Sequence, residues 1–489
     1  MSSLREYLKQ RILIERFYNI FGVIFFTLVS LFMTFLIVKF GIIAGILCLI
    51  VIIGVPGVLA LIAFPKFGIM TLLTGAYLIM FFYRFPINFP LGTLMDGIVL
   101  LLLIGFIFSQ KSKPDYSVFQ SPLSYVIFIW ISYNLLEAIN PSAASRLSWL
   151  YAIRPVALFM VTYFIFTYYI NHIKFVRLVI KLWLGLSLFA ALFAFKQEYI
   201  GFFDYEFATI NNPQQISLLF IGGVWRKFSI FSDPVAFSYN MVVSTLLCIG
   251  LITGPLKMWK KLLLGGFALM FIWAMLFSGT RGAYVLIPAT LILFSILKYN
   301  KKVLAGMIVM AIMMVGVIFM PTGNNTLIRF QSAFKPSNDA SYNLRKYNQK
   351  RIQPFIISHP MGGGLGATEV FGKRFAPNSY LANFPPDSGY IRVAVELGWL
   401  GLFIFCCFMF TALKTGIVNY YAIKNPELKS YCLSMVLIVF ALNVGNFPQE
   451  ALVQFPVSIY FYLVLALITI TRRLDDKAKV DNEAILTNP

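Results

Sequence analysis

Residues 21–64 read FGVIFFTLVSLFMTFLIVKFGIIAGILCLIVIIGVPGVLALIAF, a stretch in which Lys39 is the one charged side chain. A helix crosses the hydrocarbon core of a bilayer with about 20 apolar residues, at a rise of about 1.5 Å each. The stretch is therefore long enough for two crossings. It predicts a chain whose helices lie in a membrane.

The composition of the whole chain agrees with this stretch. Of its 489 residues, 59% are hydrophobic and 12% are charged, whereas globular domains run at about 45–50% and about 25%. These proportions exclude a cytosolic enzyme, a disordered protein and a secreted disulfide scaffold. We therefore expect an all-α polytopic membrane protein, with residues 1–489 forming a single integral membrane domain.

Further apolar runs set the expected number of spans at about fourteen transmembrane helices, to within two. These runs begin near residues 17, 41, 69, 92, 122, 153, 174, 234, 261, 283, 302, 389, 430 and 454. No internal repeat is apparent along them. Repeated halves are typical of secondary transporters, so their absence from the sequence counts against that class.

The net charge of +21, from 40 Lys and Arg against 19 Asp and Glu, fits membrane orientation better than a nucleic-acid partner. With the N-terminus inside, 23 of the 40 cations fall in cytoplasmic segments, including the turns KMWKK (257–261) and KYNKK (298–302). Lys and Arg accumulate on the cytoplasmic side of membrane proteins. We therefore expect cytoplasmic termini, with residues 1–16 as a lead-in and residues 473–489 as a solvated tail.

The three longest connections fall on the opposite, outer side, at residues 138–153, 197–233 and 321–386. The last of them has 66 residues, and loops of that length are usually functional or contain helices of their own. Its segment Tyr342–Ser358 is rich in helix formers and basic residues, among them Arg345 and Arg351. This pattern predicts an amphipathic helix at the outer membrane surface.

Three polar motifs lie on the same side and contain the candidate site residues. In WRKFSIFSDP (225–234), Arg226 is positioned either to bind a ligand or to anchor the chain at the interface with Trp225. In FSGTRGAY (277–284), Arg281 sits between two apolar runs, either as a functional buried charge or as a snorkelling side chain.

The third motif is FPPDSGYIRVAVELGWLG (384–401). Asp387 either carries chemistry or caps the helix that follows it, as Asp often does. Arg392 and Glu396 are spaced to pair on one helix face.

A glycine-rich run, HPMGGGLG (359–366), precedes the third motif. Backbone N–H groups in such runs can surround phosphates. The run lacks the spacing and the Gly-Lys-Ser/Thr ending of a phosphate-binding loop, so a turn that closes the surface helix is favoured. We expect His359 to be structural.

Arg226, Arg281 and Asp387 together indicate a reaction. Guanidinium groups bind phosphate through two parallel hydrogen bonds and keep their charge. A nearby carboxylate can accept the proton of a hydroxyl. We therefore predict displacement of a diphosphate leaving group by a sugar hydroxyl, on a substrate carried by a lipid.

The order of these motifs resembles the O-antigen ligase and polymerase family. Residues 226–234 follow Arg-x-x-small-x-Phe-x-x-Pro, then comes SGTRGA (278–283), and then a long outer loop. In that family the loop ends in His or Asp-x-Gly-Tyr and Glu-x-Gly-x-x-Gly, which here read DSGY (387–390) and ELGWLG (396–401). The resemblance covers roughly residues 200–415.

The resemblance implies a glycosyltransferase of the C-type membrane fold in the bacterial inner membrane, with a periplasmic active site. Such enzymes take glycan from undecaprenyl diphosphate and pass it to a glycan or to a lipid A core acceptor. Two family arginines hold the diphosphate, and Arg226 and Arg281 match them. Asp387 occupies the position of a family histidine near the acceptor.

We therefore predict an inverting polymerase of lipid-linked repeat units, with an O-antigen ligase as the alternative. Catalytic roles fall to Asp387, Arg281 and Arg226. Substrate binding involves both arginines and a further set of residues, namely Arg345, Arg351, Tyr390 and Arg392. Membrane lipids are expected partners, and no cofactor, metal or nucleic acid is predicted. A lipid-linked glycan flippase or another transporter, and a non-enzymatic assembly scaffold, remain the alternatives from other classes.

Overall fold

A computed structural model describes residues 20–85, 91–221, 223–323, 325–334 and 340–487. The predicted lead-in at residues 1–16 lies outside these ranges. The first ten helices are α1 (Ile20–Phe40), α2 (Ile42–Ala63), α3 (Pro65–Phe82), α4 (Leu91–Ser112), α5 (Pro122–Leu136), α6 (Arg146–Tyr169), α7 (Ile173–Tyr199), α8 (Asp204–Ile210), α9 (Pro213–Leu219) and α10 (Pro234–Ile252).

The remaining helices complete an almost wholly helical fold. They are α11 (Met258–Phe277), α12 (Arg281–Leu297), α13 (Lys301–Phe319), α14 (Asn325–Ser332), α15 (Ala340–Ser358), α16 (Glu369–Phe375), α17 (Gly389–Ala422), α18 (Pro426–Gly445) and α19 (Val457–Thr487). Two short strands, β1 (Phe220–Ile221) and β2 (Val224–Trp225), pair antiparallel. Single 3-10 turns occur at Tyr116–Phe119 and Glu137–Ile139.

The prediction of an all-α polytopic membrane protein is confirmed. Within the described ranges, eleven helices are long and apolar enough to cross a membrane. The other three runs predicted as spans coincide with α2, α12 and α13. Of these, α12 and the Gly54–Ala63 part of α2 are shorter apolar helices.

The chain divides into two compact units. The first consists of the residues up to Leu72 together with Leu94–Tyr116, and in it Gly68 lies against the side chain of Leu102. The second consists of Leu73–Thr93 and Ser117–Pro489 and contains all the predicted site residues. That both belong to one integral membrane domain remains a prediction from the sequence.

Small residues hold together the core of the second unit, where α10 and α18 are mostly buried. A Cβ atom placed on Gly250 of α10 would lie 2.1 Å from Ser434 Oγ and 2.7 Å from Ser434 Cα on α18. Tyr239 of α10 donates a hydrogen bond of 2.9 Å to the carbonyl oxygen of Gly445, at the end of α18. Helices in membranes associate through such close backbone approach, because lipid supplies no hydrophobic driving force between them.

The connection at residues 321–386 contains three helices of its own, α14, α15 and α16. The helix predicted at Tyr342–Ser358 corresponds to α15. Its Ile352 is fully buried in a cluster with Phe384 and Val395, so one face of α15 packs against the start of α17. The connection is therefore attached to the helix that follows Asp387.

The C-terminal segment differs in form from a simple tail. Residues 473–487 continue α19 as a helix, and Asp475 on that extension is buried. Asp475 accepts hydrogen bonds from the backbone N–H groups of Lys424 and Asn425, at 3.1 and 2.8 Å. The extension is thus held against the turn between α17 and α18.

We predict that Gly250→Ala lowers the free energy of unfolding by about 1–3 kcal/mol, because the new methyl group collides with the backbone of α18. Gly265→Ala is the matched control, since a Cβ atom at that helical glycine meets nothing within 4 Å. Thermal unfolding of the detergent-purified protein measures both. Equal stability of the two variants would contradict the close packing of α10 on α18.

Candidate functional site

Arg226 is anchored to the turn between α11 and α12, which we call the arginine turn (Ser278–Arg281). Its Nε atom donates to the carbonyl oxygen of Ser278 at 2.8 Å, and its Nη2 atom donates to Thr280 Oγ1 at 3.1 Å. A third bond runs from Nη1 to the carbonyl oxygen of Leu218 at 3.2 Å. Arg226 therefore lies beside the residue that precedes Arg281, and the charge of Arg281 acts on it.

A third arginine reaches the same turn. Arg329, on α14, donates from Nε to the carbonyl oxygen of Gly279 at 2.8 Å. Gly279 has a φ of 60°, and a Cβ atom there would lie 2.8 Å from Arg329 Nε, so the close approach needs a glycine. The sequence analysis did not include Arg329 among the site residues.

The electrostatics of the arginine turn favour an anion. The pKa of Arg226 is lowered to about 10, mainly by burial and in addition by the positive charges of Arg329 and Arg281, while Asp233 acts in the opposite sense. Asp233 is the N-cap of α10, where its carboxylate accepts hydrogen bonds from the N–H groups of Val235 and Ala236. Arg226 stays charged at neutral pH, and its repulsion by two neighbouring cations would be relieved by a bound phosphate.

The strand pair β1–β2 comes just before Arg226 and helps to place its side chain at the arginine turn. β2 ends directly before Arg226, whose N–H donates to the carbonyl oxygen of Leu219, the residue before β1, at 2.8 Å. The next residue, Lys227, donates its N–H to the carbonyl oxygen of Phe277 at 3.0 Å. Backbone hydrogen bonds on both sides therefore fix the position of the Arg226 side chain.

A buried ionic network holds the segment that follows. Arg84 donates from Nη1 to the carbonyl oxygen of Ser229 at 2.5 Å and also bonds to that of Phe231. Glu206, fully buried, lies 3.5 Å from Arg84 Nη1 and 3.1 Å from Lys196 Nζ. Burial lowers the pKa of Arg84 to about 10, and the charge of Glu206 opposes that effect. Ser229 adopts a φ of 53°, a strained conformation that this network supports.

Asp387 does not cap a helix, so the structural alternative raised by the sequence is wrong. The N-cap of α17 is Ser388, and Asp387 precedes it with a φ of 51°. Among the described residues, the Asp387 carboxylate has no hydrogen-bond partner. Burial raises the pKa of Asp387, and the positive charge of Arg345 lowers it in part.

Asp387 and the arginine turn are connected through the end of α18. The N–H of Gly389, two residues after Asp387, donates to the carbonyl oxygen of Asn446 at 2.9 Å. Two residues after Asn446, Pro448 lies against Gly282, where a Cβ atom would be 3.4 Å from Pro448 Cγ. The same Cβ atom would be 3.4 Å from Tyr239 Oη. The start of α17, which follows Asp387, and the start of α12, which begins with Arg281, therefore both pack against residues 446–448.

The two arginines of α15 differ in their surroundings. Arg345 is half-buried, and its charge acts on both Asp387 and Tyr239. Arg351 is exposed one and a half turns further along the helix. Arg345 therefore lies within electrostatic range of the candidate base.

Tyr390 and Arg392 are both engaged by protein groups. The Tyr390 hydroxyl bonds to the side chain of Asn443 on α18. Arg392 lies 2.6 Å from Glu450, 3.4 Å from Glu396 and 4.0 Å from Glu369, which confirms the predicted pairing with Glu396. Arg392 and Glu396 also line a cavity of about 180 Å³. Three carboxylates therefore balance the charge of Arg392.

The glycine-rich run forms a turn, as predicted, and its N–H groups are already bonded. The N–H groups of Gly363 and Gly364 donate to the carbonyl oxygens of Val395 and Glu396, each at 2.9 Å. The N–H of Gly366 donates to Glu396 Oε2 at 3.0 Å. The run therefore binds the first half of α17 rather than a phosphate.

Arg329, Arg84 and Glu206 are the residues that sequence reasoning missed. Arg329 lies in an ordinary amphipathic segment, NTLIRFQS, and no motif marks it. Arg84 is separated from its partner Glu206 by more than 100 residues, so their pairing leaves no local signal. The contact of Arg329 with the arginine turn and the pairing of Arg84 with Glu206 both depend on tertiary packing.

These observations define first a class of protein: an all-α, multi-pass membrane protein with a cluster of arginines at one end of its helices. Residues 266–406 match the family model for the O-antigen ligase domain. The match confirms the resemblance predicted from the sequence and indicates a glycosyltransferase-like enzyme. It includes the arginine turn, Arg329 and Asp387. The comparison with curated proteins found no match.

We predict that Glu206→Gln lowers the free energy of unfolding by about 3–5 kcal/mol, because it leaves buried cations without their carboxylate. Arg177→Gln is the control, since Arg177 pairs with Glu427 in an exposed position and such pairs contribute below about 1 kcal/mol. Thermal unfolding in detergent compares the two. A Glu206 variant as stable as the control would contradict the structural role of the network.

Proposed function

We propose that the protein is an inverting glycosyltransferase that polymerises lipid-linked polysaccharide repeat units. Its donor is a glycan on undecaprenyl diphosphate, and its acceptor is a sugar hydroxyl on another lipid-linked glycan. One observation carries this proposal: three arginines converge on the arginine turn, and the helix starts at Arg281 and just after Asp387 pack on the same segment, residues 446–448. Transfer to a lipid A core acceptor, which is the ligase reaction, is the alternative with the same site.

Each site residue has a role in one direct displacement. The acceptor oxygen attacks the anomeric carbon of the donor sugar, and the bond from that carbon to the diphosphate oxygen breaks. Asp387 accepts the proton of the hydroxyl. Arg226, Arg281 and Arg329 bind the diphosphate and stabilise the negative charge that it gains on leaving. Attack from the face opposite the leaving group inverts the anomeric configuration.

The remaining predicted residues support these roles. The charge of Arg345 favours the ionised form of Asp387, and Arg351 attracts the anionic donor to the site. Tyr390 and Arg392 position the start of α17 through their contacts with Asn443 and Glu450. We place the site on the periplasmic face of the bacterial inner membrane, with both termini in the cytoplasm.

Loss of any central residue should abolish transfer without unfolding the protein. We expect Asp387→Asn, Arg226→Gln and Arg281→Gln each to lower the transfer rate by about 100-fold or more, because each removes a base or a charge contact used in the transition state. Lys346→Gln is the control, since Lys346 is exposed on α15. Transfer is measured with purified protein and a lipid-linked repeat unit in liposomes. Full activity in all three folded variants would refute the enzyme proposal.

The same assay separates polymerase from ligase. A ladder of products from the repeat unit alone supports polymerisation. Products that form only after a lipid A core acceptor is added support ligation and overturn the polymerase assignment.

The pH dependence of transfer should report on Asp387. Its pKa is raised by burial, and only the ionised form accepts a proton, so the rate should increase as pH rises through that pKa. Arg345→Gln removes a charge that lowers the Asp387 pKa. It should therefore shift the acid limb of the pH–rate profile, the range in which the rate rises with pH, to higher pH. Lys346→Gln should leave the limb in place. An unchanged limb in Arg345→Gln would exclude Asp387 as the titrating base.

A further inference from the structure

A large cleft lies between α17 and α19, near the end of α17 that is farther from Asp387. Residues 410–419 of α17 form one wall, and residues 469–480 of α19 form the other. The rest of the lining consists of Thr167 at the end of α6 together with Ser117, Gln120, Ser121 and Pro122. The volume of the cleft is about 800 Å³. It begins more than 20 residues beyond the start of α17 and is separate from the arginine turn.

The lining of this cleft is strongly cationic. Its one carboxylate, Asp476, lies 2.7 Å from Arg472 Nε and 3.2 Å from Lys479 Nζ, so it is already paired. The cations that line the cleft are Lys414, Arg472, Arg473 and Lys477. Four positive charges therefore face one negative charge, and the excess favours an anionic ligand.

One donor in the cleft lacks an acceptor. The Nη1 atom of Arg472 is buried, and among the described residues it has no hydrogen-bond partner. Buried donors on charged groups are nearly always bonded, because leaving them unpaired is costly. Its buried position excludes direct contact with an anion in the cleft, which can approach only the exposed part of the Arg472 side chain. Arg473, beside it, is fixed by hydrogen bonds to the carbonyl oxygens of Thr167 and Ile170.

The mouth of the cleft is apolar, which distinguishes it from a site for a free ion. Phe410, Lys414 and Val418 are spaced four residues apart, so they share one face of α17. Phe410 is 66% exposed and Val418 is 57% exposed, on a helix long and apolar enough to cross a membrane. Such side chains lie against acyl chains when the helix is in a bilayer.

We propose that this cleft binds the phosphate group of an anionic phospholipid, with an acyl chain lying along Phe410 and Val418. Arg472, Lys414 and Lys477 contact the phosphate oxygens, and the hydroxyl groups of Thr411 and Thr415 lie beside them. The site is on the cytoplasmic side in the orientation predicted from the charge distribution. It is independent of glycan transfer, so its test does not depend on the proposed function.

The test measures lipid binding to the full-length protein in detergent by native mass spectrometry. The probes are phosphatidylglycerol, phosphatidylcholine and inorganic phosphate. We expect retention of phosphatidylglycerol and not of phosphatidylcholine, and about tenfold weaker binding in Lys414→Gln/Lys477→Gln because two phosphate contacts are lost. Neither lysine is buried, so this variant should remain folded.

Two matched variants distinguish the cleft from general surface charge. Lys257→Gln/Lys260→Gln removes two exposed cations elsewhere and should bind phosphatidylglycerol as the unmodified protein does. Lys414→Arg/Lys477→Arg keeps the charge and should retain binding. The proposal is overturned by equal loss in the Lys257/Lys260 variant, by equal retention of phosphatidylcholine, or by full binding in Lys414→Gln/Lys477→Gln. Displacement of the lipid by an equal concentration of inorganic phosphate would identify a site for free phosphate instead.

Discussion

The hydrogen bonds between guanidinium groups and the carbonyl oxygens of the arginine turn are the interaction on which the site depends. A cation at the edge of an apolar bundle must be bonded, because its desolvation is otherwise too costly. The carbonyls of Ser278 and Gly279 meet this need for Arg226 and Arg329. In doing so they bring together the strand pair, α12 and α14. The hydrogen bonds that compensate for the desolvation of these guanidinium groups therefore also hold the groups close together.

A different set of contacts holds the first half of α17, the helix that follows Asp387. Glu396 bonds to Gly366 of the glycine-rich run and to Thr368 just after it, and this joins the connection at residues 321–386 to the first half of α17. A Cβ atom on Gly398 would lie 2.0 Å from the carbonyl oxygen of Pro360, so the contact requires a glycine with its φ of 69°. Glu396 and Gly398 therefore fix the first half of α17, which begins two residues after Asp387, against the connection that precedes it.

Much of this could be predicted from the sequence, because apolar length and charge placement act locally. The helices, the loop helix α15 and the Arg392–Glu396 pair follow from periodicity over a few residues. Arg226 and Arg281 were identified by motif. Arg329 and the Arg84–Glu206 pair were not, since their partners are distant in sequence and are chosen by packing. The alternative that Asp387 caps a helix is wrong, because the N-cap of α17 is Ser388, one residue later.

The left-handed backbone at Asp387 has a consequence for which side chains the position admits. Apart from glycine, few residues tolerate a φ near 51°, and Asp, Asn and His are the most enriched among them. Two of these three side chains can take up a proton near neutral pH or below. The turn before α17 thus favours a short list of residues, and that list includes both Asp and His, the two residue types that the motif quoted in the sequence analysis admits at this position. Exchange between Asp and His at this position therefore needs no change in the path of the main chain.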